Sequence, residues 1–220
     1  MLILGYTLTA LAAYLLGSIP TGFLVAKARG IDIRTVGSGN IGATNVFRHL
    51  GTPAGILVLL TDAAKGWVAV VLVAPSFAAW FHAAENPRVY EWFPICAGIS
   101  AILGHNYTCW LHFKGGKGIA TSAGVLLALV PQALLGILGI WIIIFVMSRY
   151  VSLASIAASF ALPFAVWLTK KDPTLTIVTA ALAALAIYKH KANIKRLLNG
   201  TENRMGAKKT PAAAQGNRTP

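Results

Sequence analysis

Seven stretches of strongly apolar, nearly uncharged sequence constrain this chain more than any motif does. They fall near residues 2–25, 54–74, 93–111, 119–130, 133–147, 151–168 and 174–188. They are blocks and not amphipathic stripes, which is the pattern of helices that face lipid. A soluble fold could not cover them. Of the 220 residues, 56% are hydrophobic and 11% charged, against about 25% charged in soluble domains. A helix rising about 1.5 Å per residue needs about 20 residues to cross roughly 30 Å of hydrocarbon. The first three stretches meet that length; the fourth and the last are short. The break at Pro131-Gln132 reads either as a tight turn between two spans or as a kink in a re-entrant segment. The expectation is an all-α, polytopic membrane protein with about seven transmembrane helices. The N-terminal block lacks a basic flank and a small-residue cleavage site, so it reads as the first span and not as a signal peptide.

Charge then orients the chain. If residues 26–50 are cytoplasmic, seven spans put 112–118, 148–150 and 189–220 on the same side. Sixteen of the nineteen Lys and Arg residues then share that side, leaving Arg88, Lys170 and Lys171 opposite. This asymmetry predicts an N-terminus outside and a C-terminus in the cytoplasm. The net charge of +13 therefore reflects topology. No basic stretch is interleaved with stacking aromatics, so nucleic acid is excluded as a partner. Cys96 and Cys109 form neither a disulfide framework nor a metal motif. One domain is expected over 1–204, followed by a disordered basic tail over 205–220, where periodicity ends.

Four polar clusters fall on the cytoplasmic side. Val36-Gly-Ser-Gly-Asn-Ile-Gly-Ala-Thr-Asn45 with Arg48 crowds glycines and neutral donors into one loop. Such a loop forms an anion nest; its bland alternative is a turn rich in turn formers. Phe113-Lys-Gly-Gly-Lys-Gly118 surrounds Lys117 with Gly115, Gly116 and Gly118 directly before a helix. Backbone amides, a helix dipole and an ammonium together suit phosphate, although the Walker spacing is absent. An interfacial turn with a snorkelling lysine is the alternative. Arg149-Tyr-Val-Ser152-Leu-Ala-Ser155 opens a span, where serines also serve helix packing. His190, Asn193 and Arg196 recur at three-residue spacing and share a helix face, as they would in a basic helix lying on lipid. Asp62 and Lys65, three apart, read as a structural ion pair near the interface. The cytoplasmic half has only Asp32, Asp62 and Glu202 as acids, too few for a metal-dependent phosphatase. The clusters favour anion donors, with no metal and no cofactor.

Taken in order, these motifs closely resemble the bacterial PlsY family of acyl-phosphate-dependent glycerol-3-phosphate acyltransferases. The resemblance rests on Gly17-Ser-Ile-Pro-Thr-Gly22, Gly37 to Asn45, Asp62 with Lys65-Gly66, Gly104-His-Asn106, Phe113 to Gly118, Tyr150 to Ser155, and His190 to Arg204. It implies a seven-span enzyme of the bacterial inner membrane with its site facing the cytoplasm. It further implies acyl transfer from acyl phosphate to the sn-1 hydroxyl of glycerol 3-phosphate, giving lysophosphatidic acid and phosphate. Membrane lipids surround such an enzyme, and neither acyl-CoA nor acyl carrier protein serves as donor. On that basis Ser38, Asn40, Thr44, Asn45 and Arg48 are expected at the acyl-phosphate head, with Lys117 between the two anions. Ser155, His190 and Asn193, with Arg196 on the same face, are expected at glycerol 3-phosphate. Either His190 or a phosphate oxygen of the donor takes the hydroxyl proton. A transporter would instead place such donors at the midplane, within repeated halves. A lipid-binding scaffold leaves both glycine-rich loops unexplained.

Overall fold

The computed structural model describes residues 1–206, which form twelve α-helices and no strand among the described residues. Helix α1 (Leu2–Ser18) breaks at Ile19-Pro20 and resumes as α2 (Thr21–Lys27). Proline has no N–H to give and excludes the helical conformation for the residue before it; Ile19 accordingly has ψ 112°. Helix α3 (Ala43–Leu50) leads through Gly51 into α4 (Thr52–Val68), and a π turn at Ala69–Val73 carries α4 into α5 (Ala74–Trp80). After the short α6 (Pro87–Tyr90) come α7 (Trp92–Asn106), α8 (Ile119–Leu129), α9 (Pro131–Ser148) and α10 (Val151–Lys170). The last are α11 (Pro173–Lys189) and α12 (Lys191–Leu198).

Helix α1 packs along α7, α4 along α8, and α10 against both α9 and α11. The α4–α8 contact is tight because both faces carry glycine. A Cβ on Gly66 would lie 2.2 Å from the Thr121 carbonyl oxygen, and one on Gly124 would lie 1.8 Å from that of Ala63. Without a hydrophobic drive between helices in lipid, such small-residue seams let backbones approach and gain dispersion contacts.

Four helical segments are long and apolar enough to cross a bilayer: Leu2–Lys27, Thr52–Trp80, Pro131–Ser148 and Val151–Lys170. Helices α11 and α12, bent by 57°, make a fifth when taken together. The expected seven therefore requires α7 and α8 as well, with 15 and 11 residues. At about 1.5 Å per residue they cover only about 22 and 16 Å.

Asp62 and Lys65 pair as expected, at 2.9 Å, and the pair is buried inside the bundle. Met205, expected in the tail, donates its backbone N–H to the Arg149 carbonyl at 2.9 Å. The rest of the expected disordered tail, 207–220, lies outside the described residues.

Candidate active site

One cavity of about 610 Å³ joins three of the four polar clusters, together with Lys117 and Gly118 of the second. Its polar end is lined by Ser38, Asn40, Thr44, Asn45, Arg48, Lys117, Gly118, Ser152, Ser155, His190, Asn193 and Glu202. Its other end is apolar, with Leu126 on α8, Leu134, Ile137 and Trp141 on α9, Leu162 on α10 and Leu182 on α11. Gly115, Gly116 and Arg196 lie outside its wall.

The centre of the polar end is a chain of hydrogen bonds. The Lys117 ammonium donates to Asn193 Oδ1. Asn193 Nδ2 donates to Glu202 Oε1 at 2.8 Å, and Ser152 Oγ donates to the same oxygen at 2.9 Å. Arg196 Nε donates to Glu202 Oε2 at 2.7 Å. The helical spacing of Asn193 and Arg196 thus aims both at one carboxylate. Arg48 is close enough to Glu202 and Arg196 to feel both charges, and it is tied down by donating from Nη2 to the Asn203 carbonyl at 3.0 Å.

Burial, partly offset by Glu202 and reinforced by Arg196, Arg48 and Lys189, lowers the pKa of Lys117 to about 8. Burial and the Lys117 charge lower that of His190 to about 4. His190 stands at the bend between α11 and α12, with Nδ1 2.8 Å from the Ala186 carbonyl. A carbonyl only accepts, so Nδ1 carries the proton and Nε2 keeps its lone pair. Burial works to raise the Glu202 pKa, but the bonds from Asn193, Arg196 and Ser152 prevail and hold it below the usual carboxylate range.

Several residues expected to hold ligand are already engaged. Asn45 is buried; its Oδ1 accepts from Ser38 N at 3.1 Å, and its Nδ2 donates to the carbonyls of Ile33, Val36 and Asn40. It organises the first loop and has no donor left for a phosphate. Asn40 Oδ1 accepts from Gly42 N at 2.7 Å, and Gly39 N donates to Val36 O. The first loop is therefore less of a nest than its glycines suggest, because three of its amides serve the loop itself. In the second loop, the Gly115 and Gly116 amides donate to the carbonyls of Asn106 and His105, at 3.2 and 3.0 Å. Those two glycines seat the loop on α7 and do not cradle an anion. Gly118, at φ +80°, instead turns the chain into α8. The first-turn amides of α8 have no carbonyl of a preceding turn to bond, and Ile119 and Ala120 line the cavity. Ser155 Oγ donates to the Val151 carbonyl at 2.8 Å and accepts from Trp141 Nε1 at 3.1 Å. It serves an anion only after turning its proton away from Val151.

Glu202, Ser152 and Trp141 are absent from the expected site. Glu202 left a usable signal: it is the only acid in the strongly basic segment from 189 to 220, and a lone acid among cations is a counter-charge in waiting. Ser152 was marked by its place in the third polar cluster, whereas Trp141 left no signal.

The profile of the family described as Glycerol-3-phosphate acyltransferase matches residues 7–200. A glycerol-3-phosphate acyltransferase of Geotalea daltonii is 48% identical over 193 residues, covering 88% of this chain and 94% of the relative. One of Geobacter sulfurreducens is 48% identical over 201 residues, covering 91% and 97%. Among solved structures, PlsY (YgiH), an integral membrane glycerol 3-phosphate acyltransferase, superposes in its glycerol 3-phosphate form with a TM-score of 0.81. That match has 39% identity and covers 91% of this chain and 96% of the other. The lysophosphatidic acid form superposes at 0.78 with 38% identity, covering 91% and 95%.

Proposed function

The chain belongs to the glycerol-3-phosphate acyltransferase family, and from that premise we propose that it transfers a fatty acyl group from acyl phosphate to the sn-1 hydroxyl of glycerol 3-phosphate. The products are lysophosphatidic acid and inorganic phosphate, the first acylation of phospholipid biosynthesis. Residues 1–204 form the catalytic domain in the bacterial inner membrane, with about seven spans, the N-terminus outside and the site facing the cytoplasm.

The observation that carries this reading is the continuity of the cavity. A cationic, donor-rich end opens into an apolar end between α8, α9, α10 and α11. A phosphorylated acyl chain is a molecule of that shape: a dianionic head on a hydrocarbon tail. Lys117 stands between the two anions and stabilises charge on the leaving phosphate and on the carbonyl oxygen. Arg48, Ser38, Asn40 and Thr44 hold the donor head, while His190 and Ser155 hold glycerol 3-phosphate and Arg196, outside the cavity wall, anchors Glu202. Asn193 and Glu202 fix the lysine. The sn-1 oxygen attacks the acyl carbon, the bond from that carbon to the bridging phosphate oxygen breaks, and phosphate departs. With His190 at about 4 and a phosphate second ionisation near about 6, the hydroxyl proton ends on a phosphate oxygen; His190 Nε2 orients the hydroxyl by accepting from it.

The test supplies purified protein in lipid with acyl phosphate and glycerol 3-phosphate and follows phosphate release. Release dependent on both substrates is expected, with no turnover from acyl-CoA or acyl carrier protein. Equal release without glycerol 3-phosphate would remove the acyltransferase reading.

A further inference from the structure

Three buried ionisable side chains beneath the site take no part in the mechanism above. Asp62 and Lys65 on α4 and His105 on α7 are each almost wholly inaccessible. Lys65 Nζ lies 2.9 Å from Asp62 Oδ1 and donates to the Ile19 carbonyl at 3.1 Å, at the break between α1 and α2. His105 Nδ1 lies 3.7 Å from Asp62 Oδ1, beyond hydrogen-bond reach, and has no hydrogen-bond partner among the described residues. Asp62 and His105 both border the reaction cavity. Burying such groups is costly unless something fixes their geometry, and a bare packing role needs none of them.

Their upper contact is the loop that carries Lys117. A Cβ on Gly116 would lie 2.0 Å from His105 Nε2, and the Gly116 N–H donates to the His105 carbonyl. The imidazole is therefore a wedge, with one edge toward Asp62 and the other against the backbone of the residue preceding Lys117. Asn106 continues the support. Its buried amide, with neither atom bonded among the described residues, lies where a Cβ on Gly118 would meet it at 2.7 Å. Both neighbours of Lys117 thus rest on consecutive residues of α7.

We propose that Asp62, Lys65 and His105 are positioning residues for acyl transfer: the ion pair locks α4 to the break in the first span, and His105 transmits that fixed frame to Gly116 and so to the Lys117 ammonium. The slack of 3.7 Å between His105 and Asp62 closes to a hydrogen bond as the loaded site draws the loop into its working position. The inference rests on the role given to Lys117 above.

The test is a set of double-mutant cycles on the full chain in lipid. His105→Gln and the neutral pair Asp62→Asn/Lys65→Met are each made alone and with Lys117→Met. In the Lys117 background, each is expected to lower kcat about a hundredfold, with both KM values within about threefold. In the Lys117→Met background neither costs anything further, because the lysine they position is gone. Where turnover of Lys117→Met falls below detection, the single variants are read through the alkaline limb of their kcat/KM profile, which moves if they displace the Lys117 ammonium and stays in place if they do not; an unmoved limb overturns the inference. Should His105→Gln fail to fold, the neutral pair carries the comparison, since it leaves no uncompensated buried ion. A kcat within about threefold of the parent, or equal losses in both backgrounds, reduces the three residues to structural ones and overturns the inference. Undiminished turnover in Lys117→Met is a separate result; it removes the reading of Lys117 and takes this inference with it.

Discussion

Lys117 keeps its proton over less of the pH range than a free lysine would, because its surroundings lower its pKa to about 8. An ammonium is lost as pH rises through its pKa, so turnover that depends on it falls on the alkaline side. A basic limb near 8 is therefore expected in kcat/KM, which reports the free enzyme. Bound phosphates favour the charged form, so the corresponding limb in kcat stands higher. Glu202 is the neighbour that supports the ammonium, and Glu202→Gln removes its charge while turning an amide donor toward Ser152, Asn193 or Arg196. The variant is expected to move the kcat/KM limb below 8 and to lower kcat/KM by at least about tenfold. A limb left unmoved in pH–rate profiles would separate Glu202 from Lys117. At this scale the sequence is legible in residue types but not in their bonds. It announces that Asn45, Asn193 and Ser155 are polar and near the site. It does not announce that Asn45 has spent its amide on three carbonyls, or that Asn193 joins a lysine to a glutamate.

Among the elements, the first loop and α3 depend most on one side chain. Asn45 ties Ile33, Val36, Ser38 and Asn40 to the first turn of α3, so Asn45→Ala strands three carbonyls and one amide in a semi-buried loop. A loss of about 2–4 kcal/mol is expected. It should be read locally, as faster amide exchange over 33–42 together with a raised KM for acyl phosphate. Unchanged exchange would mean that the glycines hold the loop without it. The helices themselves were visible as apolar blocks, and the break at Pro131 was visible as a proline, whereas Pro20 interrupts a stretch that hydropathy reads as one helix. The end of α7 was not. The apolar run continues to Leu111, but the helix stops at Asn106, Cys109–Leu111 form a 3₁₀ turn, and His112 and Phe113 take positive φ. Hydropathy reports burial in lipid or protein and says nothing about backbone dihedrals. The polar seat for Gly115 and Gly116 is therefore invisible to it.

At the scale of the whole molecule, charge asymmetry supplies an expected side for each loop, whereas the cavity leaves no such mark, because side chains of α3, α4 and α7 to α12 build it together. Its apolar end is walled by small residues as well as large ones. Ala158 on α10 is buried and lies one turn beyond Ser155, where the polar end gives way to Leu162 and Ile137. If the hydrocarbon tail enters by this route, a bulky side chain there blocks the passage while leaving the head site intact. Ala158→Trp is therefore expected to lower kcat/KM for a long-chain acyl phosphate about tenfold or more, and to affect a short-chain donor far less. The ratio matters more than either value, because overpacking a core lowers stability by about 1–3 kcal/mol whatever the substrate and would reduce both rates together. A KM for glycerol 3-phosphate unchanged by Ala158→Trp would place the obstruction in the tail channel alone. Equal losses for long and short donors would move the acyl chain out of this cavity and onto the lipid-facing surface of the helices.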